Sequence, residues 1–272
     1  MGFKLNALLA VVVVAAAGAG AYYFFFMDHS DYTLLDSEDN IKAGLTIESD
    51  MKSPDDDMKG KYVVKSVEDT KVTFSYDSTS EGTSDDVYEL SDFKPSLMDF
   101  DYTGDAPSGV TVVKDGNVYT INGKYTSSIA TYTYDNLKIT YDGSSVTAVS
   151  GWWHTKYTSD SSERQVDLST NDGKVIANFK YTGSGTQEIA KSNFFKAMFI
   201  SYDASDYYGA DIKESKENIG GVNATVYTIN GTDSHGDSYD NLKIYTYKGL
   251  MIKGDGKING EKVTLKTSIY MD

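Results

Sequence analysis

The chain has no cysteine. That excludes disulfides, thiolate metal sites, cysteine nucleophiles and the lipid-bearing cysteine of bacterial-type lipoproteins. Histidine is scarce: His29 lies in the segment after an apolar run, His154 follows Trp152 and Trp153, and His235 sits in a Gly/Ser/Asp-rich turn. No two of them stand at zinc-ligand spacing. Arg164 is the single arginine in a chain with 25 Lys+Arg against 40 Asp+Glu, a formal net charge of −15. So acidic a chain carries no basic stripe for a nucleic-acid backbone, and nucleic acid is not an expected partner. It also lacks the forked guanidinium clamps common in phosphate chemistry. There is no Gly-x-Ser-x-Gly elbow and no Asp-x-Asp-x-Asp-Gly calcium loop ending in Glu. The chain is therefore expected to be non-catalytic, with no cofactor and no tightly bound metal.

What is present begins at the N-terminus. Residues 7–27 (ALLAVVVVAAAGAGAYYFFFM) carry no charge. As a helix they span ~30 Å, the thickness of a hydrocarbon core. Lys4 precedes the run, Asp28 follows it, and the next basic residue is Lys42. The positive-inside rule puts residues 1–6 in the cytoplasm and everything after 27 outside. Tyr22, Tyr23 and Phe24 to Phe26 suit an interfacial aromatic belt. The competing reading is a signal peptide cleaved at Ala17-Gly18-Ala19 or Ala19-Gly20-Ala21. Cleavage there would leave an aromatic start unsuited to a soluble terminus, which favours a single-pass anchor in the cell membrane. Two acceptor triplets, at Asn223 and Asn230, permit N-glycosylation of an exported chain.

An internal repeat organises the remainder. VYTING occurs at 118–123 and again at 226–231, and YDNLKI at 134–139 and 239–244. Two identical hexapeptides in the same order define copies at about 58–162 and 163–272. Residues 28–57, acidic and ending in Pro54 and three aspartates, read as a solvated stalk.

Within each copy the dominant period is two. Val72, Phe74 and Tyr76 alternate with Thr73 and Ser75, and Val263, Leu265, Thr267, Ile269 and Met271 form one inward set. This is the pattern of antiparallel strands with one wet face. Asp115-Gly116, Asn171-Asp172-Gly173, Asp255-Gly256 and Asn259-Gly260 read as turns, and Asn122-Gly123 and Asn230-Gly231 as strand ends. Residues 91–100 and 187–200 read as one short helix per copy. The expected class is mainly β, all-β shading to α+β, with two tandem duplicated antiparallel units after a transmembrane helix.

Candidate site residues fall into two groups. Asp99, Asp101 and Asp105, with Asp203, Asp206 and Asp211, are the only plausible calcium ligands, and solvated loop acids explain them as well. Tyrosine and tryptophan are in surplus. Tyr132, Tyr134, Trp152, Trp153, Tyr245 and Tyr247 are candidate contacts for a sugar ring or a protein partner. The leading expectation is a membrane-anchored, extracytoplasmic binding or scaffolding module for a protein, glycan or lipid. The alternative is a carrier holding an apolar or lipid ligand in a half-barrel cavity, and a cell-surface hydrolase ranks behind both.

Overall fold

A computed structural model of the chain describes residues 30–54, 56–90, 100–143, 145–158 and 161–272. The expected anchor at 7–27, His29, Asp99 and nearly all of the expected helix at 91–100 lie outside the described residues. No helix among the described residues is long and apolar enough to cross a membrane.

The chain is mainly β, as the period of two predicts. Among the described residues fourteen strands form an antiparallel sheet. They are β1 (Leu45–Lys52), β2 (Asp56–Glu68), β3 (Lys71–Glu89), β4 (Val110–Asp115), β5 (Val118–Thr126), β6 (Ala130–Asp142) and β7 (Ser145–Tyr157). There follow β8 (Glu163–Asn171), β9 (Lys174–Ala190), β10 (Asp211–Ile219), β11 (Val222–Thr232), β12 (Ser238–Tyr247), β13 (Leu250–Ile258) and β14 (Glu261–Met271). The hydrogen-bonded order is β10-β11-β12-β13-β14-β1-β2-β3-β9-β8-β7-β6-β5-β4. Two compact units emerge, one of Met1–Thr79 with Ser184–Asp272 and one of Ser80–Gly183. They do not end where the sequence copies end: β8 opens the second copy but belongs to the Ser80–Gly183 unit.

In the first unit, the earliest strand pairs with the last. β1 lies beside β14 with Leu45 opposite Met271, Ile47 opposite Ile269 and Met51 opposite Leu265. Leu45, Ile47 and Ile269 are fully buried. The other face carries an alternation of charge. Glu48 accepts from Lys61 (2.9 Å), Lys52 meets Asp57 (3.2 Å), and Asp50 stands opposite both Lys59 and Lys266. Opposite charges in register favour this pairing over a slipped one.

This corrects the stalk expectation for 28–57. From Ser30 onward that segment is folded. Two 3₁₀ turns, Tyr32–Asp36 and Glu38–Asn40, are opened by Asp31 and Ser37, whose side chains accept the Thr33 and Asp39 amides. Tyr32, Leu35 and Ile41 are buried, and the Tyr32 hydroxyl donates to the Thr267 carbonyl at 2.6 Å. Of the acids that suggested a solvated linker, Asp31 caps the first turn, and Glu48 and Asp50 stand opposite lysines on the outer face of β1.

Two further expectations change. Residues 187–200 are not one helix: β9 runs to Ala190, a 3₁₀ turn follows, and α1 covers only Phe194–Met198. The Asn-Gly pairs are not strand ends either. β5 and β11 run through them, with a bulge between Ile121 and Gly123 and another between Ile229 and Gly231. In each bulge the asparagine side chain takes a ladder bond, Asn122 Oδ1 from the Asn136 amide (2.7 Å) and Asn230 Oδ1 from the Asn241 amide (2.9 Å). Asn136 and Asn241 both adopt φ near +49°. Asp255-Gly256 likewise lies inside β13, where a Cβ on Gly256 would stand 2.4 Å from Leu242 Cα. Gly151 plays the same part against Leu137. Asp115-Gly116, Asp172-Gly173 and Asn259-Gly260 do fall at or in the turns between strands.

Leu137, Ile139, Leu242 and Ile244, from the second motif, are all buried. In the Ser80–Gly183 unit the core gathers Ile121, Leu137, Ile139, Val149, Val166, Leu168, Val175 and Ala177. In the other unit Leu242 packs with Ile229, Ile244, Met251 and Tyr239. Truncating Leu242 or Ile47 to Ala is expected to cost ~2–5 kcal/mol in urea unfolding. A loss below ~0.5 kcal/mol at Leu242 would contradict its place in the core.

Candidate ligand crevice

The six aromatic candidates do not converge. Tyr134 and Trp153 face each other across β6 and β7 and are buried in the core of the Ser80–Gly183 unit. Tyr245 is buried too, with the Lys253 ammonium 4.9 Å from its ring centroid. Tyr132 stacks on Tyr125, Trp152 stacks on His154, and the Tyr247 hydroxyl donates to Asp36 at 2.6 Å. Each ring has a structural partner within the fold.

The acids do not converge either. Among the described residues no three carboxylates or imidazoles stand close enough to hold a metal ion. Asp101 accepts from the Thr103 hydroxyl and amide, which lower its pKa. Asp203 accepts from the Ser205 amide, the main cause of its lowered pKa. Asp105, Asp206 and Asp211 are exposed. Of the two glycosylation candidates, Asn223 is exposed, whereas Asn230 is tied into its bulge.

Asp233, Ser234 and His235 form one Ser/His/Asp grouping. Ser234 Oγ is 3.2 Å and Asp233 Oδ2 3.9 Å from the same atom, His235 Nδ1. A relay needs the two partners on opposite ring nitrogens. Asp233 also accepts from the His235 and Asp237 amides and from the Tyr239 hydroxyl (2.8, 3.1 and 2.9 Å), which makes it a loop anchor. His154 lies 3.3 Å from Glu163, whose pKa is lowered chiefly by Lys156.

The site with the most unexplained chemistry was not singled out in the sequence. It lies on the inner face of the unit containing the β1–β14 pair. Across β14, β1 and β2 the paired residues read Ile269–Ile47–Tyr62 in one row and Leu265–Met51–Met58 in another. Between them runs the row Thr267–Ser49–Gly60. Two apolar rows thus flank one of small, mostly hydroxylated residues. Ser78 of β3 joins the lining, while Ala197 and Met198 of α1 and the following Ile200 complete it.

Gly60 belongs to this shape. A Cβ there would stand 3.0 Å from Ser49 Oγ and 3.2 Å from the Tyr62 ring. Ser78 Oγ is buried with no hydrogen-bond partner, a state that ordinarily costs ~1–3 kcal/mol. Three of the chain's eight methionines, Met51, Met58 and Met198, line the crevice, and these side chains repack readily. The cavity as it stands is about 30 Å³, room for a water or two. A larger groove of about 320 Å³ in the other unit is open and polar, and its groups pair with one another: Lys180 with Glu81 (3.1 Å) and Thr83 with Asn178 (2.7 Å).

The sequence did hold a signal. Ser49, Gly60, Ser78 and Thr267 each occupy an inward position where the alternation calls for an apolar side chain. One such break is ordinary, and only the strand order reveals that four of them line one crevice.

Burial pushes the Tyr62 phenol up to about 12. A raised phenol pKa stabilises the fold fully below the unfolded value of ~10, and that contribution is lost as pH rises from there towards 12. For Tyr62 it is on the order of 3 kcal/mol. Alkaline unfolding is therefore expected between pH ~10 and ~12, with tyrosinate absorbance and loss of circular dichroism rising together. Tyr62→Phe is expected to move the midpoint upward, and an unmoved midpoint would remove Tyr62 from that account.

No protein-family model and no curated protein matches the chain.

Proposed function

We propose that this protein is a non-catalytic binding module, held at the outer face of the cell membrane by residues 7–27, and that the crevice beneath α1 is its binding place. The carrying observation is the row Thr267–Ser49–Gly60, with the buried, unpartnered Ser78 hydroxyl beside it. A sheet face shaped for stability alone fills such a row with apolar side chains, because close packing and burial both favour it. Leaving small polar residues under a helix gives up that stabilisation. A ligand that enters as the methionine side chains turn aside would restore it. The repeated hexapeptides and their matching bulges support descent from a duplication of about 58–162 into 163–272, with the crevice a property of one unit.

A solvent-sensitive apolar dye, added to the protein, is expected to bind saturably at one site. Ser49→Leu fills the middle of the row and should weaken that binding at least tenfold while the protein stays folded. Equal affinity in the two proteins would place the dye elsewhere and count against the crevice. Membrane attachment is checked separately: the full chain should stay with membranes through a carbonate wash.

A further inference from the structure

We infer that the crevice takes a single linear acyl chain joined through a neutral ester or amide, whose carbonyl oxygen accepts from Ser78. This rests on the reading of the crevice as a binding place and adds the chemical class of its occupant.

The first ground is shape. The row Thr267–Ser49–Gly60 runs perpendicular to the strands, and Ser78 on β3 extends the lining to four neighbouring strands. Strands lie ~4.8 Å apart, so a track across four of them is ~14 Å long. Its width is fixed by the flanking rows. Ile47 and Met51 are four residues apart on β1, ~13 Å along the strand. Met51, Met58, Tyr62 and Leu265 of those rows line the crevice on either side of the small row, so an occupant seated on the row lies between them. A fused ring system is too broad for that track, whereas an extended chain follows it.

The second ground is the lining. Met51, Met58, Met198, Ile200 and Leu265 present aliphatic and thioether surface, which suits methylene groups and adapts to them. The third is a buried, unpaired donor. Ser78 Oγ is buried and lacks a partner, so a bound carbonyl oxygen there would relieve an orphaned group. The fourth is charge. Among the described residues lining the crevice, Lys59 is the one that is charged. Its side chain is half-exposed, with the ammonium 3.7 Å from Asp57 on the same strand. A carboxylate drawn into the crevice would be desolvated without a counter-ion, a strong penalty. An ester or amide carries the same chain with no charge to bury.

The test uses the full chain in amphipol and three fluorescent probes: dansylaminoundecanoic acid, its methyl ester, and a rigid dansylated sterol. Signal from the Ser49→Leu protein in the same amphipol is subtracted as background. The methyl ester is expected to bind saturably, at least about tenfold more tightly than the free acid, with the sterol at background. Ser78→Ala should weaken the ester about two- to tenfold and leave melting unchanged or slightly raised, because it deletes an unsatisfied hydroxyl. If that protein fails to fold, Ser78→Thr, which keeps the donor, should retain ester binding. No saturable binding of any probe would overturn the crevice as a binding place altogether. Sterol or free acid binding as tightly as the ester would overturn the acyl-ester assignment and leave the crevice standing. Ester affinity unmoved by Ser78→Ala would overturn the role given to Ser78.

Discussion

The pairing of β1 with β14 is the constraint on which the first unit depends. It joins residues more than 200 positions apart, Leu45 to Met271 and Lys52 to Thr264 at its two ends. Closing a loop of that length carries a large entropic penalty before any contact repays it. The seam is built accordingly. Its inner side places Ile47 against Ile269, both fully buried. Its outer side places Glu48 between Lys61 and the Tyr270 hydroxyl, at 2.9 and 3.0 Å. The inner side supplies affinity and the outer side supplies register, since a slip by one residue would turn Ile47 out and Glu48 in. Tyr32 then reinforces the seam, its hydroxyl donating to the Thr267 carbonyl on β14.

The crevice inherits its position from that seam. Its central row takes Thr267 from the last strand, Ser49 from the first and Gly60 from the second. No contiguous stretch of chain contains the row, so it exists only once the seam has closed. An occupant that touches all three strands binds the closed seam and not the open one, and by linkage it stabilises the pairing that creates its site. The small, hydroxylated row is therefore a local weakness in the inner face at the place where a ligand can return most stability.

How much of this was legible in the sequence follows from which interactions are local. Alternation, the three glycine-containing turns and the buried faces of both hexapeptides depend on residues within one strand or hairpin, and they were readable. The Asn-Gly pairs misled because their signature is shared. An asparagine followed by a glycine suits a two-residue hairpin, but equally a bulge in which the amide side chain replaces a ladder bond. Only the continuation of β5 to Thr126 and of β11 to Thr232 distinguishes the two. The supposed stalk misled for another reason. Acidic composition predicts solvation only where the apolar residues between the acids find no partner, and Leu45 and Ile47 find theirs on a strand at the far end of the chain. The crevice was hidden for the same reason, because its lining is written across four strands.

The two units show what a shared motif does and does not fix. In each, the identical hexapeptides build the same bulge, closed by an asparagine side chain and opposed by a glycine that lets two strands approach. Those residues are set by backbone geometry, and any other residue at Gly151 or Gly256 would drive a Cβ into the neighbouring strand. Away from the motifs the inner faces diverge. In the Ser80–Gly183 unit Val166, Leu168, Val175 and Ala177 keep the face apolar, and Thr170 on β8 satisfies its hydroxyl by donating to the Val149 carbonyl at 2.9 Å. In the other unit the row Thr267–Ser49–Gly60 interrupts the apolar face and Ser78 keeps an unsatisfied hydroxyl. One unit's inner face is thus filled for packing, and the other's carries a gap. The gap lies where the first, second and last strands meet, away from the repeated hexapeptides, so it could change without disturbing the bulges that hold each unit together.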